Sequence, residues 1–241
     1  QRSIFAGGSK KVLENYVYRL ITIKESMRIT SGVKVLFANK RDKNCCSSVI
    51  RLQIAAGSPE GEGDDEALGK GYVSSVNVFL QSSHPELAIR VVIKRISGNK
   101  VRVLQERWQK DVLKQRPDWL VIMIGIKDVR RQFDQPAMKE RHVYIEDYEM
   151  ILDRLVRETK SLVQGLVLMT LIIYKTIRKI DAGEDGPVRQ VVKTIAENYN
   201  CLLVDKQKAF QGLLIVLYPG AVAWNRVHPN LACHMVLARA F

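Results

Sequence analysis

Cationic side chains recur in the segments that directly follow predicted strands. Lysine and arginine stay protonated near neutral pH, and several of them in one cleft repel one another unless an anion is bound. We therefore expect either an anionic ligand or acidic partner at this cleft, or long side chains that extend into water. The cations concerned are Lys40, Arg41, Lys43, Lys94, Arg95, Lys127 and Arg226.

One histidine in a late loop has the chemistry of a general base. His228 stands three residues after Asn225, whose amide can hold an imidazole ring but adds no negative charge. The alternative is a loop histidine with only a structural hydrogen bond. The other histidines form no metal-binding set, and the cysteines lack any CxxC pair, so we expect no metal site.

Short apolar runs alternate with helical patterns along most of the chain. Buried strands are predicted at 33–38, 89–93, 119–124, 166–170 and 201–204, and helices at 71–82, 101–113, 147–163, 187–199, 207–217 and 230–241. Residues 39–69, which include a Gly-, Pro- and acid-rich stretch, are predicted to be a loop. The alternation predicts an α/β fold: a three-layer α/β/α sandwich with a central five-stranded parallel sheet.

Length and composition favour one large domain. With 241 residues and 46% hydrophobic residues, we expect a single domain over 33–241, preceded by an N-terminal extension at 1–32. The net charge of +13 is spread along the chain and aromatics make up 7%, a pattern that argues against a nucleic-acid stripe. We also expect no membrane span, reduced thiols and a cytoplasmic location.

Several phrases in these loops resemble the SGNH, or GDSL-type, ester hydrolases of bacteria. They are residues 96–99 (ISGN), 117–119 (PDW), 124–129 (IGIKDV), 131–134 (RQFD) and 226–230 (RVHPN). The resemblance covers the chain from about Met27 onward. It implies a flavodoxin-like fold and hydrolysis of a small ester or acylated carbohydrate, as by a lipase, esterase or carbohydrate deacetylase, without metal or cofactor.

The resemblance also implies where the catalytic residues should stand. The family's Gly-Asp-Ser motif after the first strand corresponds to Asn39, Lys40 and Arg41, which puts arginine at the nucleophile position. Its oxyanion glycine and asparagine correspond to Arg95 and Lys127. Its late Asp-x-x-His corresponds to Asn225, at the acid position, and His228, the base. A binding role is expected for Lys40 and for two residues of the pocket floor, Gly98 and Asn99.

These substitutions leave the activity of the chain open. A serine esterase needs a hydroxyl that histidine can deprotonate and preorganised donors for the oxyanion, and an arginine at position 41 supplies no such hydroxyl. We expect an inactive member of the family unless a nearby residue replaces the nucleophile. Cys45 is the best candidate for that role, because Lys40, Arg41 and Lys43 would lower the pKa of a thiol there. The alternatives are a pseudoenzyme whose cationic cleft binds an anionic ligand or protein partner, and a structural subunit of an assembly; the sequence does not determine the oligomeric state.

Overall fold

The computed structural model describes residues 51–54, 68, 71–94, 96, 98–128, 136–172, 186–223 and 229–241, and for 51–54 it describes the backbone only. The chain divides into two compact units, residues 1–46 and 47–241, and all described residues belong to the second. The predicted boundary at residue 32 and the predicted strand at 33–38 lie outside the described residues. The domain assignment therefore stays a prediction.

The described part of the chain is built on a parallel sheet. Its strands are β1 (Arg51–Ile54), β2 (Arg90–Ile93), β3 (Trp119–Ile122), β4 (Gly165–Met169) and β5 (Leu202–Val204), in the order β2-β1-β3-β4-β5, and every neighbouring pair is parallel. This is a doubly wound order, in which ligands bind beyond the carboxyl ends of the strands. The α/β class with a parallel sheet is confirmed.

Strand β1 corrects one of the sequence predictions. Residues 51–54 were expected within a loop, but they pair with β2 on one side and β3 on the other, with Leu52 opposite both Val91 and Trp119. The loop prediction was wrong because Arg-Leu-Gln-Ile alternates polar and apolar residues and lacks the continuous apolar run that identifies a strand buried on both faces. The hydrogen bonds from two neighbouring strands define this strand instead.

The helices follow the predicted pattern closely. They are α1 (Tyr72–Ser83), α2 (Val101–Asp111), α3 (Ile145–Lys160), α4 (Gly186–Asn198), α5 (Lys206–Val216), the single turn α6 (Pro219–Val222) and α7 (Leu231–Ala240). Asp205 caps α5 by accepting a hydrogen bond from Lys208 N–H, and Asn230 caps α7 by accepting one from Cys233 N–H. No helix in the described residues is long and apolar enough to cross a membrane.

Helices pack on both faces of the sheet because alternate strand residues point in opposite directions. On one face, Leu120 and Leu166 join a buried cluster with residues of α2, α3 and α4. On the other face, Met169 lies against α1, whose Tyr72 hydroxyl is 3.8 Å from the Met169 sulfur. Helix α7 packs against α1 and α5. Trp108 and Trp119 are buried core residues.

The first residue of β4 must be glycine because an indole covers it. A Cβ at Gly165 would overlap the ring of Trp119, which lies opposite it on β3. We expect Gly165→Ala to lower the free energy of unfolding by about 1–3 kcal/mol, the usual effect of overpacking a core. Urea denaturation measures this, with Gly212→Ala in α5 as the control, since nothing lies within 4 Å of a Cβ there. Equal stability of parent and Gly165→Ala would contradict the packing.

Candidate active site

The loop after β2 carries two of the predicted site residues. Gly98 has φ +80°, a left-handed conformation that glycine adopts without strain, and nothing lies within 4 Å of where its Cβ would be. Asn99 is half-buried, and its Nδ2 is buried without a hydrogen-bond partner among the described residues. The turn thus presents backbone and an amide at the carboxyl end of β2. Arg95, at the predicted oxyanion position in the same loop, lies outside the described residues.

The loop after β3, which carries Lys127, is hydrogen-bonded to a tyrosine of α3. Tyr148 of α3 donates its hydroxyl hydrogen to the carbonyl of Ile124, at 2.9 Å. Gly125 follows with φ +128°, and a Cβ there would be 3.0 Å from that hydroxyl, so only glycine fits easily. Residues 126–128 form one helical turn in which Lys127 is half-buried. The structure therefore places Lys127 beyond the carboxyl end of β3.

A buried carboxylate connects these two loops. Asp128 is 1% exposed, and its Oδ1 accepts a hydrogen bond of 2.9 Å from Val101 N–H at the start of α2. Burial, the largest influence, raises the pKa of the Asp128 carboxyl to about 6, against the Val101 bond and the charges of Lys100 and Arg102, which lower it. The sequence singled out Lys127 but not this neighbour, whose role depends on contact with a distant helix.

The ends of β4 and β5 hold a second polar group that the sequence did not reveal. Asp205 pairs with Arg189 at 2.9 Å and Lys193 at 3.1 Å. Burial tends to raise the pKa of its carboxyl, but bonds from Arg189, Lys208 N–H and Lys193 outweigh burial and hold the pKa below its usual range. The next residue, Lys206, is 5% exposed, and burial lowers the pKa of its amine to about 7.

The late loop is described only at its exit. Asn230 starts α7, and its Nδ2 donates to the carbonyl of Ala221 at 2.8 Å, which ties the end of the loop to α6. His228 and Asn225 lie outside the described residues, as do Lys40 and Arg41. Of the predicted site residues, the structure therefore places Gly98, Asn99 and Lys127, all in loops at the carboxyl ends of strands.

Only some of the predicted loop cations lie within the described residues. Lys94 follows β2 directly and, like Lys127, is half-buried, so two of the seven predicted cations stand at this edge of the sheet and the other five lie outside the described residues. Within the described ranges, no group of three or more His, Cys, Asp or Glu residues is arranged to hold a metal ion. His234, in the core, accepts a hydrogen bond from Tyr72 N–H at 3.2 Å.

Comparison with known proteins places this arrangement in a family. Residues 58–236 match the profile of the GDSL-like lipase/acylhydrolase family. The chain is 50% identical over 222 residues to an acetylxylan esterase from Geobacillus stearothermophilus, with 89% of this chain and 94% of that protein covered. Catalytic mutants of that esterase replace a serine, a histidine and an aspartate.

Solved structures agree with the sequence match. A crystal structure of the acetylxylan esterase from Geobacillus stearothermophilus superposes with a TM-score of 0.73 at 51% identity, covering 79% of this chain and 91% of that one. An α/β hydrolase enzyme from the metagenome of Lake Arreo, Spain, has a TM-score of 0.73 at 41% identity, covering 79% and 92%. The matched profile, the shared sequence and the shared fold together show that the chain belongs to the GDSL-like lipase/acylhydrolase family, the SGNH/GDSL ester hydrolases.

Proposed function

We propose that this chain has the framework of a carbohydrate deacetylase but not its serine-ester chemistry. The framework is supported by the half-identical acetylxylan esterase, which makes an acetylated carbohydrate the substrate class of the ancestral site. The single observation that carries the loss of chemistry is the set of residues at the family's catalytic positions. These are Arg41 for the nucleophile, Arg95 and Lys127 for the oxyanion donors, and Asn225 for the acid.

Each substitution removes a different part of the reaction. Arg41 provides no hydroxyl for attack on the ester carbonyl. Lys127 places a flexible ammonium where the family has a planar amide, and an oxyanion donor acts through fixed geometry. Asn225 leaves His228 without the negative charge that stabilises an imidazolium, a change that lowers kcat about 10⁴-fold in a serine protease. Together these losses leave only binding.

The position of β1 supplies a rival nucleophile that the experiment must address. The family's serine follows the first strand of the chain. Among the described strands, the first along the chain is β1, which ends at Ile54. Ser58 stands four residues after Ile54 in the sequence and directly follows Gly57. A serine in that stretch is an alternative to Arg41 as the residue at the nucleophile position.

We expect the purified chain to release no acetate from p-nitrophenyl acetate or acetylated xylooligosaccharides above the rate of a heat-denatured control. Chromogenic and acetate-release assays at pH 7 to 8 measure this. Activity that survives in the parent but disappears in Ser58→Ala would contradict the proposal and assign the nucleophile to Ser58. Activity that survives in both the Ser58→Ala and the Cys45→Ala variants would point to a contaminating esterase.

A second function, binding of an anionic ligand, is favoured by the loop cations. Lys94 and Lys127 are half-buried in the loops after β2 and β3, where a ligand of the family would lie. Calorimetric titration with sulfated, phosphorylated and carboxylated sugars tests it. Micromolar binding that is lost in Lys127→Asn and Arg95→Gly would support this function. An absence of binding would leave the structural-subunit alternative. Size analysis in native extract tests that alternative, since a lone particle of 27.4 kDa would argue against it.

A further inference from the structure

We infer that Asp128 is the positioning residue that fixes the loop carrying Gly98 and Asn99 relative to the turn carrying Lys127. This inference rests on the proposed function, because it concerns the site that the family uses for its oxyanion donors. It adds a residue that touches no substrate and acts through the two loops. The observation behind it is the hydrogen bond from Val101 N–H to Asp128 Oδ1, at 2.9 Å.

The start of α2 depends on this carboxylate for its cap. The N-cap residue Lys100 makes no side-chain hydrogen bond to the first turn; its ammonium group instead donates to the carbonyl of Arg141, at 2.7 Å. Asp128 therefore supplies the acceptor that a local Ser, Asp or Asn supplies in most helices. A negative charge at a helix N-terminus is also favoured by the helix dipole. The cap thus comes from another loop, which makes it a connection between loops.

Strand order explains why such a connection is needed. Strands β2 and β3 are not neighbours in the sheet, since β1 lies between them. The loops that follow β2 and β3 therefore share no ladder hydrogen bonds at this edge. Val101 comes two residues after Asn99, and Asp128 comes one residue after Lys127, so the single bond connects both site segments within a few residues of their side chains.

Each of the two connected segments also holds a buried polar atom in this corner. Asp128 Oδ2 and Asn99 Nδ2 are both buried, and neither has a hydrogen-bond partner among the described residues. Leaving a buried donor or acceptor unpaired costs stability, so a hydrogen-bonding group of a ligand or of another part of the chain would be favoured at these two atoms.

The hydrogen bond can be removed from either side. Asp128→Ala deletes the acceptor, whereas Asp128→Asn keeps an oxygen in its place. Val101→Pro deletes the donor; proline suits the first helical position, and Lys100 before it is extended at φ −104° and ψ 168°, as a residue before proline should be. Asp147→Asn is the matched control, because Asp147 also binds α2, through Arg102, but lies outside the two loops.

Amide hydrogen exchange tests the inference in the parent chain, whatever its activity. We expect Asp128→Ala and Val101→Pro each to speed exchange at least about tenfold in peptides that cover residues 96–103 and 124–128, with α4 unchanged. Asp128→Asn and Asp147→Asn should stay within about threefold of the parent. Unchanged exchange in Asp128→Ala, or acceleration that extends equally to α4, would overturn the inference.

Kinetics of a chain with restored catalytic residues provide the second readout. In the variant carrying Arg41→Ser, Arg95→Gly, Lys127→Asn and Asn225→Asp, adding Asp128→Ala or Val101→Pro should lower kcat at least about tenfold with KM within about threefold, and Asp128→Asn should restore kcat. Combining Asp128→Ala with Val101→Pro should add no further loss. An inactive restored variant would contradict the proposed function alone, since hydrogen exchange would still decide the role of Asp128.

Discussion

Restoring four residues is expected to convert this chain from an inert protein into an esterase, the largest effect we predict. The variant carries Arg41→Ser, Lys127→Asn, Arg95→Gly and Asn225→Asp. It regains a hydroxyl that His228 can deprotonate, an aspartate that holds the imidazolium, and an oxyanion site without two competing cations. We expect hydrolysis of p-nitrophenyl acetate to rise at least about 10³-fold over the parent, because each of these parts contributes two or more orders of magnitude in serine hydrolases.

The matched control for this variant omits the nucleophile. A chain with Lys127→Asn, Arg95→Gly and Asn225→Asp, but with Arg41 kept, should remain as inactive as the parent. Peptide mass spectrometry of parent and variants confirms that each carries the intended residues. If the variant without Arg41→Ser is as active as the full one, position 41 is not the nucleophile, and Ser58, which follows β1, becomes the residue to replace.

Replacing Lys206 with methionine is expected to stabilise the fold strongly near neutral pH. The side chain is 5% exposed, and its amine makes no hydrogen bond or ion pair among the described residues, while the neighbouring Asp205 is engaged by Arg189 and Lys193. Burial lowers the pKa of the Lys206 amine from 10.5 to about 7. That shift corresponds to a cost of about 3 to 5 kcal/mol, which Lys206→Met would remove while keeping a stem of similar length.

The pH dependence of this effect has a definite sign. Between pH 7 and 10.5 the unfolded chain holds a proton on Lys206 that the folded chain does not, so the free energy of unfolding of the parent rises with pH in this window. The stability difference between Lys206→Met and the parent should therefore be largest at pH 7 and below, and should shrink toward pH 10.

Urea denaturation at pH 6.5 and pH 9.5 measures both the size and the trend. The exposed Lys114→Met serves as the control and should change stability by less than about 0.5 kcal/mol at either pH. A Lys206→Met variant that is less stable than the parent, or a difference that does not depend on pH, would show that the folded chain holds the Lys206 amine in a charged and paired state.

Most of the described fold was predictable from local pattern. The apolar runs at β3 and β4 are buried along their whole length, and the helical spacing before and after them predicted α1 to α5 and α7 to within a few residues. These elements are found because their apolar periods of two and 3.6 residues match their geometry. Strand β1 was not predictable in this way, because its pairing with β2 and β3, and not its composition, makes it a strand.

The candidate site was predictable only in part, for a related physical reason. Gly98 was identified through the family resemblance, and Lys127 through that resemblance and its place in a loop after a predicted strand; the structure puts both at the carboxyl ends of strands. Asp128 and Lys206 were not identified as site or core residues. Their properties come from burial against segments distant in sequence, such as the start of α2 for Asp128, and local sequence contains no information about burial of this kind.

The sequence by itself predicted the parallel α/β class and the family, and it is the basis on which we propose which residues stand at the catalytic positions, because apolar periodicity and short motifs are local properties. Only the tertiary structure decided that β1 lies between β2 and β3, that the position against Trp119 must be a glycine, and that Asp128 is the carboxylate that connects the two site loops. Each of these depends on contacts between residues far apart along the chain, and such contacts exist only once the chain has folded.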